Sequence, residues 1–134
     1  MISHGHLDDP AIDELEPEWD DDPMGFVLRV GAPDGAPFSV SIIINVTSFL
    51  GLDDLCFLSA GLIEGGTRAI DSGGFAPDGE SIVVWDAGDN EVTVSRAAFG
   101  RLMIRFLDIA REHADADRRE ELDALIAGIA RSGS

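Results

Sequence analysis

The hydrophobic pattern of this chain changes its period at Ser95, and that change constrains the fold more than any other feature of the sequence. Before it, the runs Ser81–Trp85 and Glu91–Val94 are rich in β-branched residues and flank the polar turn Asp86–Asn90. After it, apolar residues recur every three or four positions to about His113, which is typical of an amphipathic helix. Ser95 is a good N-cap because its hydroxyl can accept a hydrogen bond from the first helical turn. The sequence therefore predicts a β-hairpin that continues directly into a helix.

Four further segments have patterns that predict regular structure. Phe26–Val30 and Thr67–Ile70 are short runs that we interpret as strands, and the alternation of apolar with other residues in Phe38–Val46 favours a half-buried strand. A stripe of leucine and isoleucine predicts a second helix from about Asp117 to Ala130. We therefore predict an α+β fold, in which an antiparallel β-meander of about five strands is followed by two C-terminal helices.

The stretch Phe49–Ile63 fits two interpretations. Asp53 and Asp54 ahead of an apolar run, with Gly65-Gly66 behind it, suit a short helix with acids at its start and a glycine stop. A buried strand from Leu55 onwards fits nearly as well, because periodicity does not separate the two for so short a run.

Three segments carry the residues that are typical of turns. They are Gly31–Pro37, Asp71–Gly74 and Ala76–Gly79, which combine glycine with aspartate, proline or both. We expect each of them to be a loop.

Acidic residues are concentrated near the start of the chain. Nine of the 26 lie among the fifteen positions Asp8–Asp22, and no basic residue lies among them. Three prolines interrupt the first 24 residues, which disfavours a long helix. We therefore divide the chain into an acidic, proline-broken and solvated N-terminal arm at 1–24 and a single α+β domain at 25–134. We expect the domain to fold without the arm.

The remainder of the chain is acidic as well, because its 17 acids face nine arginines and no lysine. The formal net charge of −17 repels nucleic acid and anionic membranes and attracts basic partners. The alternative is that this charge only keeps the protein soluble.

The cysteine content and the N-terminus bear on the cellular compartment. Cys56 is the single cysteine and can form no internal disulfide, which favours a reducing compartment. The first residues lack the pattern of a signal peptide, and no apolar run approaches the ~20 residues of a membrane span. We expect a cytoplasmic protein in which Cys56 is an inert core residue.

No pattern in the sequence predicts catalysis or cofactor binding. His4 and His6 lack the preorganised further ligands of a metal site. Asp86–Glu91 does not have the ligand spacing of an EF-hand loop, and the paired glycines are not part of a phosphate-binding motif. We therefore expect a protein that is not an enzyme and that holds no cofactor or metal.

The acidic surface is the feature that bears most on function. We expect it to bind a basic protein partner, and neither nucleic acid nor a membrane. The residues expected to contact this partner lie in the arm and in the predicted loops: Trp19, Asp20, Asp21, Asp22, Asp71, Asp86, Asp89 and Glu91. Trp19 is included because tryptophan is favoured as an interface anchor.

A small acidic α+β domain without a catalytic set resembles the immunity proteins of bacterial toxin systems, including those of contact-dependent growth inhibition. The resemblance covers residues 26–130 and is carried by the predicted meander with Phe38–Val46 and Ser81–Val94, the junction Val92–Ser95 and the amphipathic Phe99–Leu107. It implies a tight one-to-one complex with a cognate toxin, often a basic nuclease, whose active site or substrate face is blocked by acidic side chains. Because such proteins share no diagnostic motif, no residue role is carried over from them.

Two other classes of protein share this size and charge. A secretion chaperone for an effector protein is also small, acidic and cytosolic, but such chaperones usually open with an amphipathic helix, whereas this chain opens with proline-broken sequence. A nucleic-acid mimic would present its carboxylates to a DNA-binding protein. A toxin gene directly upstream of this chain's gene would favour the immunity protein over both.

Overall fold

The computed structural model describes residues 4–22, 25–30, 35, 38–47 and 50–132. Over these residues the chain forms a five-stranded sheet, a separate two-stranded sheet and five helices. The strands are β1 (His4–His6), β2 (Pro17–Asp22), β3 (Gly25–Val30), β4 (Arg68–Ile70), β5 (Gly73–Asp78), β6 (Ser81–Asp86) and β7 (Glu91–Ser95). The helices are α1 (Asp9–Asp13), α2 (Phe38–Thr47), α3 (Leu52–Glu64), α4 (Arg96–His113) and α5 (Ala116–Ser132).

The five-stranded main sheet is mixed, with the strand order β1-β7-β6-β5-β4. β4 to β7 are antiparallel neighbours, whereas β1 runs parallel to β7 and pairs His4 with Glu91. The predicted α+β class and the two C-terminal helices are confirmed, but the purely antiparallel meander is wrong. The difference arises because the first strand of the chain joins the sheet beside the last one, and because helices α2 and α3 lie between β3 and β4 in the chain.

The hairpin and helix on either side of Ser95 are as predicted. β6 and β7 pair antiparallel, and the Ser95 hydroxyl accepts a hydrogen bond of 3.0 Å from the amide of Ala98 at the start of α4. Helix α4 buries Phe99, Leu102 and Phe106 completely. Local signals were sufficient here, because the cap and the apolar stripe belong to the same short segment.

The segment Phe38–Val46 belongs to helix α2, so its prediction as a half-buried strand is wrong. The buried apolar side chains of α2 follow the helical repeat: Val40, Ile42, Ile43 and Val46. Phe38, which the alternating pattern placed on a buried face, is 62% exposed. A short apolar run fits either structure, and tertiary packing here overrides the β propensity of the isoleucines. One segment that carried the resemblance to immunity proteins thus has a structure other than the predicted one.

Of the two interpretations of Phe49–Ile63, the helix is confirmed. Helix α3 has Asp53 and Asp54 in its first turn. It ends at Glu64 and is followed by Gly65, whose φ of 74° lies in the left-handed region that glycine adopts at little cost. The acids and the glycine stop were therefore the informative signals.

Two short predicted strands are also confirmed. β3 covers Phe26–Val30, and β4 covers three of the residues in Thr67–Ile70. The predicted turn Gly31–Pro37 lies outside the described residues, apart from Gly35.

Of the two predicted loops Asp71–Gly74 and Ala76–Gly79, the residues that fall within strand β5 (Gly73–Asp78) were predicted wrongly, whereas Asp71, Ser72 and Gly79 lie in turns. A Cβ atom on Gly73 would lie 2.1 Å from the carbonyl oxygen of Trp85 in the neighbouring strand. Glycine is needed there for the close approach of two backbones, which is a recognised use of glycine within strands.

Part of residues 4–22 packs into the same core as the rest of the chain, so the expectation of a solvated arm is wrong for that part. β1 joins the main sheet, α1 contacts α4, and β2 pairs with β3. Ile12 and Leu15 are fully buried, and Leu7 is 8% exposed. Pro10 lies in the first turn of α1, where its missing amide hydrogen costs little. The division of the chain into two units after residue 24 stays a prediction.

The main sheet has two unlike faces. Along β6 one set of side chains is buried and the other is partly exposed: Ile82, Val84 and Asp86 against Ser81, Val83 and Trp85. Phe75 of β5 packs against Phe99 of α4, and Asn45 of α2 bonds to Asp86. We call this helix-covered side the inner face and the opposite side the outer face.

The hydrophobic core lies between the inner face and the helices. Its largest fully buried side chains come from the N-terminal segment, the helices and the sheet: Ile12, Leu15, Ile42, Ile43, Leu50, Leu55, Leu58, Phe75, Ile82, Phe99 and Phe106. α5 completes the helical layer by packing on α3 and α4. Among the described helices, none combines the length and the apolar character needed to cross a bilayer.

Candidate functional site: the acidic end of the main sheet

Two turns of the main sheet lie side by side and bring acidic residues together. The turn between β4 and β5 contains Asp71, and the turn between β6 and β7 contains Asp89. The amide of Ala87 donates a hydrogen bond of 3.1 Å to the carbonyl oxygen of Ser72, which ties the two turns to each other. Glu91 follows at the start of β7. We call Asp71, Asp89 and Glu91 the acidic end.

Asp86 lies beside the acidic end, but its carboxylate is used within the fold. Its side chain is buried and accepts hydrogen bonds from the amides of Gly88 (2.9 Å) and Asn90 (3.1 Å) and from the side chain of Asn45 (3.1 Å). Burial by itself would raise the pKa of Asp86, but these donors outweigh it and hold the pKa below its ordinary value. Asp86 therefore anchors the turn to α2 and is not available to a partner.

Asp71 and Asp89, by contrast, are exposed, and Glu91 is partly exposed. Among the described residues, no group bonds to the carboxylate of Asp71 or of Asp89. Asp89 has a φ of 64°, a conformation that aspartate tolerates better than most residues do. Because the Asp89 amide also donates to the carbonyl oxygen of Asp86 (3.1 Å), its exposed charge is held in a defined place.

The other predicted contact residues, Trp19 and Asp20–Asp22, lie on β2 of the two-stranded sheet. The ring of Trp19 stacks on that of His113, with centroids 3.7 Å apart and 6° between the planes. It also packs against the hydrophobic core. The backbone of Asp20–Asp22 pairs with β3. The eight predicted residues are thus divided between the two sheets. Trp19, the predicted aromatic anchor, already contacts another ring of this chain.

Two acids of the N-terminal run are matched by arginines of α4. Arg101 donates to both oxygens of Asp13, at 3.0 and 3.1 Å, and reaches Asp9 at 3.4 Å. The hydrogen bond from Arg101 is the main reason why the pKa of Asp13 lies below its ordinary value. Arg105 adds a bond of 2.9 Å to the carbonyl oxygen of Ile12. These groups hold α1 against α4, so part of the acidic run is structural.

Most arginines of the chain donate hydrogen bonds to acceptors within it, as Arg101 and Arg105 do. Seven of the nine arginines donate to a carboxylate or a backbone carbonyl of this chain: Arg68, Arg96, Arg101, Arg105, Arg111, Arg118 and Arg119. The acidic groups outnumber the basic ones by 26 to nine, so most carboxylates have no arginine to match them. The surface therefore presents an excess of unbalanced negative charge.

Two observations on the described residues bear on catalysis. They contain no group of three histidine, cysteine or acidic side chains that could hold a metal ion. A cavity of about 480 Å³ beside the start of α4 is lined by Ser81, Ser95 and Ser132, with Asp9, Glu80 and Arg96 among its other lining residues. No histidine is among the described residues that line it.

Cys56 is half-buried on α3, rather than in the core as predicted. Burial raises the pKa of its thiol to about 11, and a hydrogen bond to Glu121 (3.3 Å) acts in the same direction. The thiol is therefore protonated at neutral pH, which disfavours reaction as a nucleophile.

Sequence reasoning missed the structural role of Asp86. The pattern Asp86-Ala-Gly-Asp-Asn90 contains the signal, since an aspartate that precedes glycine and asparagine commonly bonds to its own turn. The bond from Asn45 had no such signal, because it joins two segments that are distant in the sequence.

Comparisons with models of protein families, with curated proteins and with solved structures gave no match to this chain.

Proposed function

We propose that this protein is a non-enzymatic immunity protein that binds and neutralises a basic toxin, with a nuclease as the expected class, through the acidic end of its main sheet. One observation carries the proposal. Most arginines are bonded inside the chain, whereas Asp71 and Asp89 present their carboxylates to solvent. A basic partner meets unbalanced negative charge and little opposing positive charge.

In such a complex, exposed charges affect the association rate more than they affect the affinity. Exposed charge pairs at the rim of an interface contribute little to affinity, typically about 0.2–1 kcal/mol each. The summed field accelerates the encounter and disfavours acidic competitors. The association rate should therefore fall as salt rises, because the screening length shortens from about 30 Å at 10 mM salt to about 8 Å at physiological salt.

The proposal can be tested by growth assays with the protein encoded directly upstream of this chain's gene. Expression of its C-terminal domain alone should stop bacterial growth, and co-expression of this chain should restore it. A harmless upstream product, or toxicity that this chain leaves unchanged, would count against an immunity function. Binding to an unfolded segment of that product, without neutralisation, would favour a secretion chaperone.

A second experiment measures the part that the acidic end plays in this complex. We expect the variant Asp71→Asn with Asp89→Asn to associate up to about tenfold more slowly at low salt, with little change in the dissociation rate. The matched control is Asp108→Asn with Glu112→Gln, which removes the same charge from exposed positions on α4. Equal slowing by the two variants would show that net charge matters and the acidic end does not.

A further inference from the structure

The outer face of the main sheet combines an apolar centre with acidic ends. Strand register places Val83 beside Thr93 on one side and beside Ala76 on the other. Trp85 lies next in line, between Glu91 and Gly74. Since paired residues of neighbouring strands point to the same side, all of these residues belong to the outer face.

Several described contacts between helices and sheet fall on the opposite side, whereas at one end of the outer face Ser95 donates a hydrogen bond of 2.7 Å to Asp9 of α1. A Cβ atom on Gly5 of β1 would approach Ser39 of α2, and Arg68 of β4 lies against Gly61 of α3. Both Gly5 and Arg68 belong by register to the inner face, as Phe75 and Asp86 do. Val83 and Trp85 remain partly exposed, whereas the neighbouring Ile82 and Val84 are 2% and 0% exposed.

Among the described residues of the five strands and their turns, the formal charges on this face are negative. Arg68 is the single arginine among the residues of the five strands, and it belongs to the inner face. Asp71, Asp89 and Glu91 lie at one end of the outer face, and Asp78 and Glu80 lie at or near the other. A partner placed here would meet an apolar centre between two acidic borders.

We infer that the outer face is the surface on which a basic protein docks, with Trp85 as the anchor that contacts an arginine or lysine of that partner. This inference rests on the proposed function and gives it a location. A guanidinium or ammonium group over an indole ring is attracted by the ring's electrons, and nearby carboxylates attract the same cation. Tryptophan is also among the residues enriched at the energetic centres of interfaces.

Strand geometry favours binding to the face over extension of the sheet. The edge strands β1 and β4 have three residues each, so an added strand would gain few main-chain hydrogen bonds. The face spans five strands and offers a broader contact. The partner is therefore expected to contact the face of the sheet and not to pair with an edge strand.

The chain's two tryptophans supply a direct test by fluorescence. Trp19→Phe leaves Trp85 as the sole reporter of the outer face, and Trp85→Phe leaves Trp19 as the matched reporter of the two-stranded sheet. The probe is a peptide of arginine–valine repeats. Two control peptides replace arginine with glutamate, or valine with glycine.

We expect the arginine–valine peptide to shift the emission of Trp85 and to leave that of Trp19 unchanged. The glutamate peptide should have no effect, and the peptide without valine should bind more weakly. Trp85→Ala should weaken binding about tenfold or more, whereas Trp19→Ala should change it little. Circular dichroism of each variant checks that the fold is retained.

The alternative outcomes separate this inference from the proposed function. A shift at Trp19 alone would overturn the docking face and leave binding of a basic partner intact. Equal binding of the acidic peptide would overturn the role of charge. Trp85 emission that changes with protein concentration alone would show that a second copy covers the face. No shift at either tryptophan would count against both proposals.

Discussion

The acids of α1 and the acids at the end of the main sheet have the same chemistry but opposite relations to the rest of the molecule. Asp9 and Asp13 face Arg101 and help to hold α1 on α4. Asp71 and Asp89 lie on two turns that are tied together, and no arginine faces them among the described residues. Asp9 and Asp13 therefore contribute to the structure, whereas Asp71 and Asp89 contribute to the electrostatic field that a partner meets.

The difference shows that acids crowded together in a sequence need not be the acids that give a surface its charge. The run Asp8–Asp22 is the densest acidic segment of the chain, yet two of its members are matched by α4. The sparser acids of the main sheet come together because two turns meet. Folding, more than local density, therefore decides where unbalanced charge appears.

The largest expected effect is that of deleting residues 1–16, which removes β1 and α1. Burial of Leu7, Ile12 and Leu15 is lost, at about 1.5–3 kcal/mol for each side chain, against a typical total stability of 5–15 kcal/mol. We expect loss of cooperative thermal unfolding, measured by calorimetry. Ile12→Ala is the milder companion, at about 2–5 kcal/mol. A melting temperature within a few degrees of the full chain's would instead restore the view of a dispensable arm.

The next largest expected effect on stability comes from the buried Asp86, in contrast to the exposed Asp89. Asp86→Ala removes the acceptor for Asn45, Gly88 and Asn90, so we expect a loss of about 2–4 kcal/mol in urea unfolding. Asp89→Asn keeps a residue type that tolerates positive φ and should stay within about 0.5 kcal/mol of the parent. Similar losses in the two variants would contradict the structural role of Asp86.

The pH dependence of stability tests the same carboxylate. The folded-state pKa of Asp86 is lowered, so its contribution is complete above its unfolded pKa of about 3.9 and is lost as pH falls through the lower folded value. Stability should therefore decline below about pH 4, and Asp86→Asn should make that decline shallower. Unfolding curves across this range provide the measurement, and an unchanged slope in the variant would speak against the assignment.

The smallest effect concerns the ion pairs of α1. The side chains of Asp13 and Arg101 are 40% and 45% exposed, so solvent screens their attraction. Asp13→Asn should cost roughly 0.2–1 kcal/mol, and less at high salt. A loss above that of Asp86→Ala would reverse the comparison between the two regions.

Sequence reasoning succeeded where the decisive signal was local. The Ser95 cap and the stripe of α4 lie within a single continuous segment, so the hairpin–helix junction was predictable. It failed at Phe38–Val46 and Gly73–Asp78, because the packing of α2 and the close approach of β5 to β6 depend on distant parts of the chain. Short apolar and glycine-rich segments take their structure from such neighbours.

The candidate site was predictable in part for the same reason. Asp71 and Asp89 were recognised from their turns, but nothing local indicated that the turns would meet. Trp19 attracted attention because it lies in the acidic run, although it stacks on His113. In the sequence, nothing distinguishes Trp85 from an ordinary strand residue. Its place on the outer face depends on which side of the sheet the helices cover.

The position of β1 beside β7 has a consequence for synthesis of the protein. His4 is synthesised before its strand partner Glu91, and helices α1 to α3 lie between them in the chain. Until Glu91 is made, the apolar residues that follow β1, including Leu7 and Ile12, have no completed sheet and no α4 to cover them. The carboxylates around them repel other nascent chains during that interval. We therefore expect the acidic run to reduce contacts between nascent chains until β7 pairs with β1.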